Sequence, residues 1–182
     1  IWLRAFHSIY QPDMAVMVAQ QLAKEFPDIS LQMIGPSYGV ASLTQTKQLI
    51  TRLGLESRVK IIGYVPKPKL PVWLQGGDVF LNTTRYESFG IAAMEAAACG
   101  LPIVTTNIGE LSFLWQDGRN ALTVSVDNVS EMANAVRRIL TDSTLAQRLS
   151  LAARRTAEEY DWSNVLPQWE RLFNGMLAKN RG

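Results

Sequence analysis

Apolar residues fall along this chain in two patterns that alternate: short unbroken runs, and longer stretches spaced every three to four residues. Ile1, Trp2 and Leu3 open it with a run that reads as the end of a buried strand. Pro12, a favoured first helical residue, begins a helical pattern through Met14, Met17, Val18, Gln21 and Leu22 that stops before Pro27. The run at 29–34 is closed by Gly35-Pro36 and predicts a buried strand ending in a turn. The cycle then repeats, with a helix over 42–53, a strand at 59–62, a short helix at 70–75 and a strand at 79–82. A helix over 90–99, a strand at 102–105, a short helix at 111–115, an Asp117-Gly118 turn and a strand at 121–124 complete it. Such alternation predicts an α/β fold, a parallel sheet of about six strands flanked by helices on both faces. From Asn128 the pattern is helical only, through VSEMANAVRRIL, LAQRLSLAARRTAEEY and VLPQWERLFNGML. With no strand left to cover, at least one of these helices is expected on a sheet edge or on a partner beyond the chain. The expected division is a Rossmann-like domain over 1–162 and a helical extension over 163–182.

The 182 residues, 47% of them hydrophobic, suffice for one sizeable core. The single cysteine, Cys99, lies in the apolar stretch AAMEAAACG, which points to a reducing compartment and a small packed side chain. Eighteen Lys and Arg against sixteen Asp and Glu leave a net charge of +2, too little to call for nucleic acid or an anionic membrane surface. No apolar run approaches the roughly 20 residues of a membrane-spanning helix. The start, IWLRAFHSIYQP, has neither a basic end nor a long apolar centre of a signal peptide. A soluble, cytoplasmic protein is expected, and a chain that opens inside a strand is expected to be a piece of something longer.

In an open parallel sheet, ligands bind at the carboxyl ends of the strands where strand order reverses, so the loops there carry the chemistry. The loop TTRYESFG follows the expected strand at 79–82 and runs into the helix GIAAMEAAACG. Hydroxyl residues feeding a helix through glycine offer backbone N–H groups and a helix dipole to an anion such as a diphosphate. Glu87 and Glu95 stand at the end of that loop and within that helix. A carboxylate beside a phosphate site is repelled unless it faces something neutral, so both are candidates to accept hydrogen bonds from sugar hydroxyls. The bland readings are a helix-start residue for Glu87 and a solvated charge for Glu95. The alanines around Glu95 leave no polar face and weigh against the second.

The stretch ESFGIAAMEAAACGLPIVTTNIG resembles the signature of the retaining glycosyltransferases of family four, which pair two Rossmann-like domains across a cleft (the GT-B fold). Phe89, Gly90, Gly100 and Pro102 fall in place, and the likeness continues through RVKIIGYVPKPKLPVWLQGGDVFLNTT and DGRNALTVSVDN. The resemblance implies the C-terminal, donor-binding half of an enzyme that moves a hexose from a nucleoside diphosphate sugar to a hydroxyl acceptor. It implies that the N–H groups of Phe89, Gly90 and Ile91 hold the diphosphate and sugar, that Glu95 binds the ribose, and that Glu87 meets the donor sugar. Arg4 would neutralise the leaving diphosphate, while Gly35 and the turn Gly63, Tyr64, Val65 would border the base through backbone. No metal and no organic cofactor are implied; the donor would be a UDP-, GDP- or ADP-sugar. The acceptor would sit on an N-terminal domain absent from this chain, through which any peripheral membrane association would come. Two positions depart from the family pattern. Ile9 stands where a second diphosphate-binding cation, a lysine, is usual, with Arg85 a nearby substitute; and a Gly-Gly pair becomes Gly109-Glu110, followed by Phe113 in place of a glutamate.

Other features favour plainer readings. His7, the one histidine, is expected to be structural or solvent-facing. Trp162, Val165, Leu166, Trp169, Leu172 and Phe173 share helical spacing and are expected to pack rather than to stack on a ligand. Arg137, Arg138, Arg154 and Arg155 read as solvated helix faces. Two rival functions remain: a nucleotide-sugar epimerase on the same fold, and a non-catalytic binding module, which the Ile9 and Gly109-Glu110 departures favour.

Overall fold

The computed structural model describes residues 1–109 and 111–179. The elements in chain order are β1 (Trp2–Leu3), α1 (Pro12–Leu22), β2 (Leu31–Ile34), α2 (Val40–Arg52), β3 (Val59–Gly63), α3 (Leu70–Gln75) and β4 (Phe80–Asn82). They continue with α4 (Ile91–Ala98), β5 (Ile103–Thr106), α5 (Leu111–Leu114), β6 (Leu122–Val124), α6 (Val129–Thr141), α7 (Ser143–Glu159) and α8 (Trp162–Lys179). One-turn 3₁₀ helices at Ser8–Tyr10 and Lys67–Lys69, which the periodicity does not signal, tighten two of the loops.

All six strands join one sheet in the order β3-β2-β1-β4-β5-β6, and every pairing is parallel. Strand alternation then explains how the chain builds two core layers from short apolar runs. Trp2, Met33, Leu81, Val104 and Leu122 face one side, against α1, α2 and α6. Their neighbours Leu3, Ile34, Phe80, Ile103 and Ala121 face the other, against α3, α4 and α5. Both faces are covered, and a strand buried on both faces reads as a continuous apolar run rather than an alternating one. The helices after the sheet are held by side-chain caps, Asn128 accepting from Glu131 N–H at 3.0 Å and Asp142 from Leu145 N–H at 2.9 Å.

α8 lies outside both core layers. Trp162 is 75% exposed and Trp169 49%, with Leu166, Leu172 and Phe173 similarly open. Its apolar stripe therefore packs on nothing in the described chain, because α1 to α7 already cover both sheet faces. Among the described residues no helix is long and apolar enough to cross a membrane.

Candidate functional site

Strand order reverses between β1 and β4, so the loops after these two strands border one crevice. The ends of β1, β2 and β3 are stitched together there: Arg4 N–H donates to Ile34 O at 2.9 Å, Gly35 N–H to Gly63 O at 2.8 Å and Phe6 N–H to Pro36 O at 2.8 Å. Gly35 has φ of 144°, and a Cβ on it would lie 1.9 Å from Arg4 O. Only glycine fits this crossing. Gly63 ends β3; Tyr64 turns outward to solvent, and Val65 buries its side chain in the second core layer. The predicted base-bordering turn thus presents backbone and the Tyr64 ring.

The TTRYESFG loop leaves the carboxyl end of β4 as expected and is held by buried hydroxyls. Thr83 Oγ1 accepts from Trp2 Nε1 at 2.9 Å and donates to Tyr10 O at 2.6 Å, tying this loop to the one after β1. Thr106 Oγ1 donates to Thr84 O at 2.6 Å, and Thr84 Oγ1 to Tyr86 O at 2.7 Å. Each of these three threonine hydroxyls donates to a backbone carbonyl. These threonines build the loop that positions its neighbours.

Two site candidates meet directly. Arg4 Nη2 donates to Glu87 Oε2, with the side chains 12% and 11% exposed. The second Glu87 oxygen accepts from Ser88 N–H at 3.1 Å. The Tyr10 ring lies against the Arg4 guanidinium, 5.2 Å from carbon to centroid. Burial pulls the Arg4 pKa below its usual value, opposed first by Glu87 and then by Tyr10 and Glu95.

Gly90, at φ 84°, turns the chain into α4. The N–H groups of Ala93 and Met94 bond back to Gly90 O. Among the described residues, those of Phe89, Gly90 and Ile91 have no partner within the chain. These are the orphan donors of a helix start. Along α4, Ala92, Ala93, Met94, Ala96 and Ala97 are buried, so Ile91 and Glu95 share the stripe left open. Glu95 is 30% exposed, and Lys67 Nζ approaches its carboxylate at 3.7 Å from the loop that continues the Gly63 turn. The Phe89 ring meets Tyr160 edge-on, centroids 5.2 Å apart, which anchors the helix start to the end of α7.

Arg85, the candidate substitute cation, donates its backbone N–H to Ile9 O at 2.8 Å, beside the departing position. Its guanidinium is engaged elsewhere, by Asp127 at 2.9 and 3.2 Å, and Gln11 donates to the same carboxylate. His7 caps the first 3₁₀ turn, accepting from Ile9 N–H at 3.2 Å, which is the structural role expected. Burial pushes the Cys99 thiol up, with Glu95 adding to the shift, consistent with an unreactive packed side chain. Glu110 lies outside the described residues, while Gly109 comes close to Glu87, a Cβ there standing 3.4 Å from Glu87 O. Phe113 is exposed. Arg137 grips Glu25 across the surface at 2.6 and 2.7 Å, and Arg154 pairs with Glu158 on its own helix at 3.0 Å. Among the described residues no group of three His, Cys, Asp or Glu side chains is arranged to hold a metal ion. The residues that sequence reasoning missed are Tyr10, Lys67, Thr83, Thr84 and Thr106, whose parts depend on loops distant in sequence.

A doubly wound parallel sheet with a nearly buried arginine and two carboxylates beside its switch point is a Rossmann-like domain. Residues 4–156 match the family of glycosyl transferases group 1, and the chain belongs to that family. It is 32% identical over 175 residues to a D-inositol 3-phosphate glycosyltransferase of Paenarthrobacter aurescens, covering 93% of this chain and 43% of that protein. The fold is that of GT-B glycosyltransferases. Anabaena Alr3699/HepE in complex with UDP superposes with a TM-score of 0.88 at 22% identity, over 96% of this chain and 48% of that one. The C-terminal domain of a group 1 glycosyl transferase from Francisella tularensis superposes with a TM-score of 0.77 at 17% identity, over 87% and 84%. The chain therefore spans about half the length of the full-length relatives it matches.

Proposed function

We propose that this chain is the donor-binding half of a retaining hexosyltransferase, using a UDP-, GDP- or ADP-sugar and a hydroxyl acceptor held by an N-terminal domain. The observation that carries the reading is the N–H row of Phe89, Gly90 and Ile91, unpartnered among the described residues, at the start of the helix that carries Glu95 and beside the Arg4–Glu87 pair. A diphosphate oxygen is the ligand such a row takes. Glu95, on the open stripe of α4 and beside the Gly63 to Val65 turn, accepts from the ribose hydroxyls. Glu87 accepts from the sugar. The bond between the anomeric carbon and the diphosphate oxygen breaks, the acceptor hydroxyl oxygen takes its place on the same face, and the hydroxyl proton passes to the departing diphosphate. Negative charge gathers on the diphosphate, where the N–H row, the helix dipole and Arg4 stabilise it. No metal enters this scheme. The extension over 163–182, of which 180–182 lie outside the described residues, packs through its exposed apolar stripe on the other half. Nucleic acid is no partner, any peripheral membrane contact belongs to the other half, and a lone unpaired cysteine favours the cytoplasm. UDP in the Anabaena neighbour supports a nucleotide in this crevice.

A second reading, a binding module without turnover, draws on Ile9 and on the engagement of Arg85 by Asp127, which leaves Arg4 as the cation at the β1 end. Donor turnover in the full-length protein separates the two. For the site itself, Glu95→Gln is expected to cost about 1 to 3 kcal/mol of nucleoside diphosphate affinity, the range for a charge-assisted hydrogen bond. Calorimetry with the 2′-deoxy nucleotide should show a smaller loss. Equal losses would remove Glu95 from the ribose.

A further inference from the structure

Arg4 and Glu87 have opposite tasks in the donor reading, one toward phosphate and one toward sugar, yet here they neutralise each other. Both Glu87 oxygens are occupied, Oε2 by Arg4 and Oε1 by Ser88 N–H. The arginine backbone is fixed by Ile34 O and its guanidinium is backed by Tyr10, so the freedom left is that of the side-chain tip. Among the described residues Arg4 Nε is buried without an acceptor, so Glu87 alone does not satisfy this guanidinium. An anion with several oxygens offers it more than one carboxylate oxygen does.

We propose that Glu87 competes with the diphosphate for Arg4, so that the carboxylate that holds the sugar of an intact donor disfavours the bare nucleoside diphosphate left after transfer. The inference rests on the donor reading above. When an intact donor binds, its sugar hydroxyls donate to Glu87 and replace Arg4 as the arginine turns to the phosphates. When the sugar has left, nothing replaces it. Glu87 then stands unpaired and nearly buried beside added negative charge, an arrangement that costs more than re-forming the ion pair. The pair re-forms, and the diphosphate loses its cation. Glu87 thereby acts as a specificity-determining residue that favours donor over product and speeds product release.

A structural brace makes the opposite prediction. If the pair only held the TTRYESFG loop in place, removing the carboxylate charge would loosen the loop and weaken every ligand. UDP, GDP and ADP, each alone and as its glucose conjugate, are titrated into the full-length protein and its Glu87→Gln, Arg4→Gln and double variants. Glu87→Gln should bind the bare diphosphate about fivefold tighter, the size of one partly buried ion pair, and the conjugate more weakly. Arg4→Gln should cost more affinity in the Glu87→Gln background than in the wild type, since only there is the arginine free. Bare-diphosphate binding that is unchanged or weaker in Glu87→Gln, or strictly additive losses, overturns the competition. If Glu87→Gln does not fold, Glu87→Asp, whose shorter carboxylate draws back from Arg4, must tighten the bare diphosphate by a smaller factor, and failure to do so overturns it equally. A wild type that binds none of the six ligands overturns the donor reading and this inference together. A wild type that binds them with no tightening in the variant overturns this inference alone.

Discussion

Gly35 and Gly63 look alike in the sequence, each closing an apolar run, and the structure separates them. Both have positive φ, 144° and 80°, but a Cβ on Gly35 would stand 1.9 Å from Arg4 O, whereas one on Gly63 meets nothing within 4 Å. Gly63→Ala is therefore expected to cost about 1 kcal/mol for the left-handed backbone alone. Gly35→Ala must push β1 and β2 apart and should cost about 3 kcal/mol or more. Urea unfolding of the two variants measures the difference, and equal costs would refute the close approach. The turn at Gly35 was legible because Gly-Pro is a local signal; its distance from Arg4 was not, since the two meet only when β1 pairs with β2. The same holds for the site. Glu87 and Glu95 stood out by spacing and by apolar neighbours, while the contact of Glu87 with Arg4, 83 residues away in the chain, did not.

Helices that look equally amphipathic in sequence do different work. α7 buries Leu149 and Ala153 completely between its neighbours, and Ser150 Oγ ties it to Gly100 O at 2.6 Å, just past α4. α8 shows an apolar stripe of the same helical spacing, with Trp169 and Phe173 stacked on each other at 5.6 Å and otherwise open. Leu149→Ala should thus lower the stability of this chain by about 2 to 5 kcal/mol. Trp169→Ala and Phe173→Ala should stay within about 0.5 kcal/mol, as for surface positions. Thermal unfolding of the three variants tests this; a large loss from Trp169→Ala would place α8 in the core of this domain. Periodicity reports that a face wants burial. It does not report which element supplies the cover, and in this chain both sheet faces are taken before α8 begins.

For the whole molecule, the proposed donor reading divides binding from turnover, because the chain spans about half the length of the relatives it matches. The 182-residue chain by itself is expected to bind a nucleoside diphosphate and to release none from a nucleotide sugar in the presence of a hydroxyl acceptor. A coupled assay for released nucleoside diphosphate checks this, and turnover by the chain alone would show that no second domain is needed. The sequence by itself determined the α/β alternation, the two-sided burial of the strands, and the loop and helix that carry Glu87, Phe89 to Ile91 and Glu95. Those are local facts, written in spacing, turn residues and runs of apolar side chains. Only the tertiary structure decided the strand order that makes β1 and β4 neighbours, the pairing of Arg4 with Glu87, the seat of Lys67 on Glu95, the diversion of Arg85 to Asp127 and the exposure of α8. Each of these depends on which distant segments share a sheet edge, and charge and hydrogen-bond partners are chosen by that proximity rather than by their place along the chain.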